Sequence, residues 1–440
     1  MTRATTGGLA PRASAPTGTS LAASISYDDL YMRWEKGNWS ATEIDFSIDR
    51  EHWHERMNDE ERRAAQWHYG LFLHGEHAVT ETLSPFIDAA PKPEQKYFLA
   101  TQQADEARHT VFFSRFLREV VGLGDDGTNG TNAVFADTSQ DLTWGFQRLF
   151  ERLDQHAEEL RRDPSPQKLA AGILLYHLTI EAALGQPGQR YIEGYLERSG
   201  VLPGLLTGLR NVSRDEERHI AFGVRMLYDL VREYPDARDA IAEMLREVVP
   251  YSLSVFVPPH WDMRYIECFG YTMTDIYEEG TRSFEQKMRA AGLPPEDLYG
   301  ALPMPFDKTA RERAERQVLL LRSGMIGAKN GGVSHEPEAV EALFDTVRLA
   351  VDTRHLPSKP TTIAWDFTDH APWALRLADG TASAHQRPAD GADLTFRCRL
   401  EDFVDVFAGR EDPRMAMLKR KLRPRGDVRV LLRMQKLFGG

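Results

Sequence analysis

The sequence predicts an all-α helical block followed by a small α+β domain, and three observations carry that reading. Apolar residues recur at intervals of three and four from Tyr27 to about Tyr234. A Gly-containing stretch, with Gly324, Gly327, Gly331 and Gly332, then interrupts the chain over 324–337. After about Glu338 the helical period gives way to short alternating runs. The 440 residues divide accordingly into a leader over 1–26, a helical domain over 27–323, a linker over 324–337 and a C-terminal domain over 338–440.

Taken in order, the leader is rich in Ser, Thr and Arg without amphipathic periodicity, so disorder is expected, and it lacks the apolar segment of a secretion signal. Long helices are expected over about 59–87, 93–121, 167–195 and 202–234, broken by the Gly- and Asn-rich stretch from Gly122 to Asn132 and by Ser199, Gly200 and Pro203. Further helices follow near 241–256, 274–291 and 306–322. In the C-terminal block a helix carrying Val340, Leu343, Phe344 and Val347 leads into the strands TIAWDF, WALRL, TASAHQ and DLTFRCRL. Helical patterns return at EDFVDVFAG, RMAMLKRKL and VRVLLRMQKLFGG.

Composition narrows the function. With 42% hydrophobic and 10% aromatic residues, the bulk of the chain can bury a core. A formal net charge of -12 opposes the phosphate backbone of nucleic acid, which is not an expected partner. Two cysteines, Cys268 and Cys398, imply no disulfide framework and fit a reducing cytoplasm. No run of eighteen or more apolar residues occurs, so no membrane span is expected.

The chemistry lies in a glutamate followed about thirty residues later by Glu-x-x-His, present twice: Glu76 before Glu106 and His109, and Glu181 before Glu216 and His219. A Glu and a His three apart on a helix point to the same side and can hold one metal from a single turn. Glu76 shares its side with Tyr69, Phe72, Leu73, Val79 and Leu83, and Glu181 lies among Leu174, His177, Leu178 and Leu184. An ionised carboxylate there costs several kcal/mol unless it is paired or binds metal. One such Glu would be read as an internal salt bridge; four Glu and two His in this order favour a metal centre. Oxygen and imidazole donors without thiolate suit iron or manganese. Asp215 can accept the outer N–H of a ligand histidine. Glu51 and His54 also form Glu-x-x-His but lack an apolar side, and His74 and His77 are read as neighbours of the site or as surface residues.

This pattern resembles the ferritin-like dimetal carboxylate proteins. Over about residues 34–225 the chain is similar to the small subunit of class I ribonucleotide reductase, and more closely to the related ligand-binding oxidases. The resemblance is carried by EIDFSIDREHW, GEHAVTETLSPF, ADEARHTVFF, YHLTIEAAL and RDEERHIAFG. It implies two metals per chain, Fe/Fe or Mn/Fe, with O2 as oxidant. Glu76, Glu106 and His109 would form one metal site, and Glu181, Glu216 and His219 the other, with Glu106 bridging. It also implies an ether bond between Val79 and Tyr176. In an α-helix, however, Tyr176 stands about 140° from Glu181, and an ordinary buried tyrosine remains the other reading. Phe113 replaces the radical tyrosine of the reductases, which counts against nucleotide reduction. His77 and Ala182 depart from the oxidases, and Pro187 is expected to bend its helix beyond Glu181.

The segment 338–440 resembles a sterol-carrier-protein domain through WDF, the Trp373 strand, GADLTFRCRLEDFVDVFAGREDP, the KLRPRGD turn and the final KLF. An apolar tunnel and a filled core made of Phe403, Val406, Phe407, Met415 and Leu418 are both open. The expected activity is an O2-using oxidase or oxygenase acting on an apolar small-molecule or lipid-like substrate, with an external electron donor and with a homodimer as a compatible assembly. N-oxygenation, desaturation, oxidative cleavage, and a non-enzymatic lipid-binding protein with a structural or storage metal site stay open beside it.

Overall fold

The computed structural model describes residues 21–124, 130–328, 332–388 and 390–438. Of the expected leader, residues 1–20 lie outside this description. Leu21–Ser24 form a 3-10 turn that Arg225 holds by donating to the carbonyls of Ala23 and Ile25 at 2.6 and 3.1 Å. Helices α1 (Tyr27–Lys36), α2 (Ser47–Glu55), α3 (Asp59–Thr82), α4 (Ser84–Ala89) and α5 (Pro93–Phe116) follow, then α6 (Gly130–Ser139) and α7 (Trp144–Arg162). Next comes one continuous helix, Pro166–Ser199, which is α-helical over Pro166–Ile173 (α8), π-helical over Leu174–Gly185 and α-helical again over Gln186–Ser199 (α9). Helices α10 (Pro203–Glu233), α11 (Ala237–Ser252), α12 (Arg264–Glu267), α13 (Met273–Ala290) and α14 (Ala310–Arg322) complete the ferritin-like domain.

Local chemistry sets the ends of the site-bearing helices. Asn58 starts α3 with a capping box: its side chain accepts from the amides of Glu60 and Glu61 at 2.9 Å each, and Glu61 accepts from the Asn58 amide. Helix α10 begins after Leu202, which has a φ of 50° and offers no side-chain cap. Asp49, from α2, supplies the cap by accepting from the amides of Gly204 and Leu205 at 2.8 and 2.7 Å. The helix Pro166–Ser199 is long and apolar enough to cross a membrane by length and composition, but 83% of its most apolar window is buried in the bundle.

The C-terminal domain opens with α15 (Pro337–Leu349) and forms a five-stranded sheet in the order β3-β2-β1-β4-β5. The strands are β1 (Thr361–Phe367), β2 (Trp373–Ala378), β3 (Thr381–Gln386), β4 (Leu394–Cys398) and β5 (Arg423–Gly426), with β1 and β4 parallel and the other pairs antiparallel. Helices α16 (Leu400–Phe407), α17 (Pro413–Leu418) and α18 (Val428–Phe438) accompany it. Phe344 stacks on Trp373 and Phe403 at centroid distances of 4.4 and 5.2 Å, whereas Met415 and Leu418, which the filled-core alternative would place inside, are exposed. The KLRPRGD turn contains β5, an edge strand, which is where Pro424 is tolerated.

The described part of the expected linker is anchored. Arg410 donates to the carbonyls of Gly324 and Gly327 at 2.6 and 3.1 Å, and the Gly327 amide donates to Ser254 Oγ at 2.7 Å. Among the described residues, three ion pairs also join the domains: Arg246 with Asp352 at 3.3 Å, Arg354 with Asp239 at 2.8 Å and Arg316 with Asp345 at 3.0 Å.

Candidate metal centre

Four helical segments bring the six candidate residues together: α3 supplies Glu76, α5 Glu106 and His109, the π helix Glu181, and α10 Glu216 and His219. All six are buried. His109 Nδ1 lies 3.2 Å from Glu76 Oε2, 3.7 Å from Glu106 Oε2 and 3.5 Å from Glu216 Oε1. His219 Nδ1 lies 3.2 Å from Glu106 Oε1 and 3.6 Å from both Glu181 Oε1 and Glu216 Oε1. Glu106 thus turns one oxygen to each histidine, the geometry of a bridging carboxylate. Glu216, expected with Glu181 and His219, instead faces both histidines and gathers with Glu76, Glu106 and His109 within 4.8 Å, while Glu106, Glu181 and His219 make the second group.

The electrostatics call for a cation. Burial pushes Glu76, Glu181 and Glu216 above the usual carboxylate range. Burial pushes Glu106 the same way, but the imidazoles of His109 and His219 beside it outweigh burial and hold this carboxyl well below that range. Burial would lower both histidines, yet the surrounding carboxylates hold them well above their usual value. With all four carboxylates ionised, as metal ligands require, the cluster would hold a buried excess of negative charge that bound cations offset. Glu181 Oε2, Glu216 Oε1 and His219 Nδ1 are buried without a hydrogen-bond partner, and all three belong to residues gathered in the cluster, where metal ions can take them.

The outer nitrogens of the two histidines are held by a pair of aspartates. Asp215, singled out in the sequence, has its Oδ2 3.3 Å from His109 Nε2. Its twin, Asp105, was missed: its Oδ2 is 3.1 Å from His219 Nε2. The signal was present, because DEARH at 105–109 and DEERH at 215–219 repeat one pattern. Arg218 spans the pair, donating to Asp215 Oδ1 at 2.7 Å and Asp105 Oδ2 at 3.0 Å. Trp39 donates to Asp215 at 2.8 Å and Trp34 to Asp105 at 2.9 Å. With Nε2 engaged outward, each ring presents Nδ1 to the cluster, which is how outer partners orient metal-binding imidazoles.

Tyr176 departs most from expectation. The 140° separation from Glu181 assumed α-helical geometry, but Leu174–Gly185 is a π helix, whose wider i→i+5 turn brings residues five apart closer to one side. The Tyr176 hydroxyl donates to Glu106 Oε1 at 2.7 Å and accepts from Gln102 Nε2 at 2.9 Å, and the same amide reaches Glu181 Oε1 at 2.8 Å. Pro187 lies in the first turn after the π segment and ends it without breaking the helix. Val79 and Tyr176 line one cavity of about 70 Å3 with Glu76, Glu106, Glu181 and Glu216, walled by Phe72, Phe146, Phe150 and Phe256.

The remaining candidates lie outside the cluster. Glu51 and His54 are exposed. His74 hydrogen-bonds Thr138 at 2.9 Å, and His77 pairs with Glu81 at 3.6 Å. Phe113 is buried and stacks on Phe72 at 5.4 Å.

Comparison with known proteins agrees with this architecture. Residues 24–252 match the family model described as ribonucleotide reductase, small chain, and residues 352–439 match the SCP-2 sterol transfer family. A solved R2-like ligand-binding oxidase from Sulfolobus acidocaldarius is 24% identical, with 64% of this chain and 98% of that one covered and a TM-score of 0.50. A single-residue variant of an R2-like ligand-binding oxidase, with an anaerobically reconstituted Mn/Fe cofactor, is 23% identical over 63% of this chain and 98% of its own, with a TM-score of 0.51. At these identities the likeness concerns the fold.

Proposed function

Because the chain belongs to the ribonucleotide reductase small-chain family, we propose that its buried cluster holds two transition metals, Fe/Fe or Mn/Fe, and that the protein is an O2-using dimetal oxidase or oxygenase of an apolar substrate. The observation that carries this reading is the convergence of Glu76, Glu106, His109, Glu181, Glu216 and His219, with both imidazoles turned outward to aspartates. Glu76, His109 and Glu216 would hold one ion and Glu181 and His219 the other, with Glu106 shared. When bound, such a pair supplies reductive activation of O2.

The chain's own residues then have definable tasks. Asp105 and Asp215 keep the imidazole protons on Nε2, and Arg218 locks the two aspartates to each other. Gln102 and Tyr176 hold Glu106 and Glu181 in register, and the phenylalanines around the cavity exclude water. A volume of about 70 Å3 matches a couple of water molecules, so an extended apolar substrate would have to displace Phe72, Phe146, Phe150 or Phe256. Buried Phe113 carries no hydroxyl where the reductases have their radical tyrosine, which favours oxidation of a substrate held in this chain. The external electron donor has a place to be sought: Trp34, bonded to Asp105, also lines a surface groove of about 670 Å3 with Tyr27, Tyr31, Met32 and Tyr97. The match of residues 352–439 to a sterol transfer family supports a lipid-like substrate.

The reading is tested by O2 uptake. Protein loaded with iron, or with manganese and iron, should consume O2 when given a reductant, and Glu106→Ala should lose more than the roughly 10–100-fold typical of an outer partner. Uptake that is absent, or equal in both proteins, would favour the storage or carrier reading.

A further inference from the structure

We infer that the C-terminal end of the chain, from α17 through β5 to α18, docks on the surface of an anionic lipid bilayer. The inference rests on that segment alone and does not depend on the oxidase reading. Residues 413–438 contain nine Lys or Arg and one acidic residue, Asp427, in a chain whose formal net charge is -12. Two of the cations are paired locally: Lys419 and Lys421 reach Glu411 at 2.7 and 3.0 Å, and Lys421 lies 3.8 Å from Asp402 as well. Arg414, Arg420, Arg425, Arg429 and Arg433 are exposed, as is Lys436, and none pairs with a described acidic residue.

The same segment exposes apolar side chains of a size that folded proteins usually cover. Leu418 is 75% exposed, Leu432 73%, Val428 63% and Met415 44%, which is half of the large exposed apolar residues among the described residues. Helical geometry arranges them. At 100° per residue, Val428 and Leu432 share the outer side of α18 with Arg429, Arg433 and Lys436. Val430, Leu431, Met434, Leu437 and Phe438 turn inward onto the core of the domain. Ahead of α18, edge strand β5 presents Arg423 and Arg425 two residues apart.

Cations interleaved with outward leucine and valine fit a headgroup layer, where the charges meet lipid phosphate or carboxylate and the apolar side chains enter the acyl boundary. A nucleic acid would use the charges and leave the exposed leucines in water. The rest of the chain carries the acidic excess and is repelled by such a surface, which confines contact to this end.

The test is co-sedimentation of the full-length protein with vesicles of phosphatidylcholine, alone or with one third phosphatidylserine. Binding is expected only to the anionic vesicles and should fall with added salt. Replacing Arg429, Arg433 and Lys436 together with Gln should weaken it on the order of a hundredfold, taking about 1 kcal/mol per cation near the surface. The pair Leu418→Ser and Leu432→Ser keeps every charge and should weaken vesicle binding roughly tenfold while leaving retention on heparin unchanged. These positions are exposed, so the variants should fold. Failure to sediment with anionic vesicles at low salt, equal binding to neutral vesicles, or binding indifferent to the Leu→Ser pair would each overturn the inference.

Discussion

One amide, that of Gln102, ties the hydroxyl of Tyr176 to Glu181, while the same hydroxyl donates to Glu106, so a phenol is fixed between carboxylates from two helices. Val79 lines the same cavity. Loading with iron and manganese in air is therefore expected to give an ether between the Val79 and Tyr176 side chains, detected by mass spectrometry as a peptide pair lighter by two hydrogens, with O2 as the oxidant. Recovery of only linear peptides from active, metal-loaded protein would contradict this. A second expectation concerns His68, which is buried, bonded to the Ala64 carbonyl at 2.8 Å, and pushed by burial from 6.5 down to about 4. Below pH 6.5 the unfolded chain takes a proton there that the folded chain refuses, so stability should fall as pH drops toward about 4, by up to about 1.4 kcal/mol per pH unit. In urea unfolding, His68→Gln should lose less stability than the parent between pH 7 and pH 5; an equal loss would refute it. Glu76, Glu106, His109, Glu181, Glu216 and His219 were legible because type, order and apolar surroundings all agreed. Trp34 and Trp39 were not, because their partners come from helices distant in sequence.

Between α10 and its neighbours, glycine sets the approach. A Cβ at Gly208 would come within 2.0 Å of the Phe112 ring, and one at Gly223 within 2.2 Å of His177 Cβ, beside Tyr176 on the π helix. Gly223→Ala should thus destabilise the fold by about 1–3 kcal/mol, although alanine alone would favour the helix by about 1 kcal/mol. Denaturant midpoints check this, and a variant as stable as the parent would show that the π helix can shift. The π segment also explains where sequence reading ran out. Apolar spacing identifies a helix through Leu174, Leu178 and Glu181 but assumes α-helical geometry, so it put Tyr176 on the wrong side. Strand β5 was hidden for a related reason: RPRG reads as a turn, and only an edge position accommodates its proline.

At the scale of the whole chain, the change of pattern near residue 338 located the second domain, but its attachment was not visible in the sequence. A Gly-rich stretch reads as a free tether, whereas Arg410 binds Gly324 and Gly327 from 83 or more residues away. Arg316 on α14 also reaches the Ala342 carbonyl and Thr346 Oγ1 on α15, at 3.0 and 2.7 Å. A chain ending at Lys329 is expected to keep its metals and to melt several degrees lower, having lost these contacts. Loss of metal binding on truncation would make the two domains one cooperative unit. Net charge misled in a similar way, since an average of -12 conceals the basic C-terminal end. The central claim is the dimetal centre itself, and native mass spectrometry with metal analysis tests it most directly. The account predicts two transition metals per chain in the loaded protein and reduced occupancy of both positions in Glu106→Ala; fewer than two metals in the parent, or two held at full affinity in the variant, would contradict it.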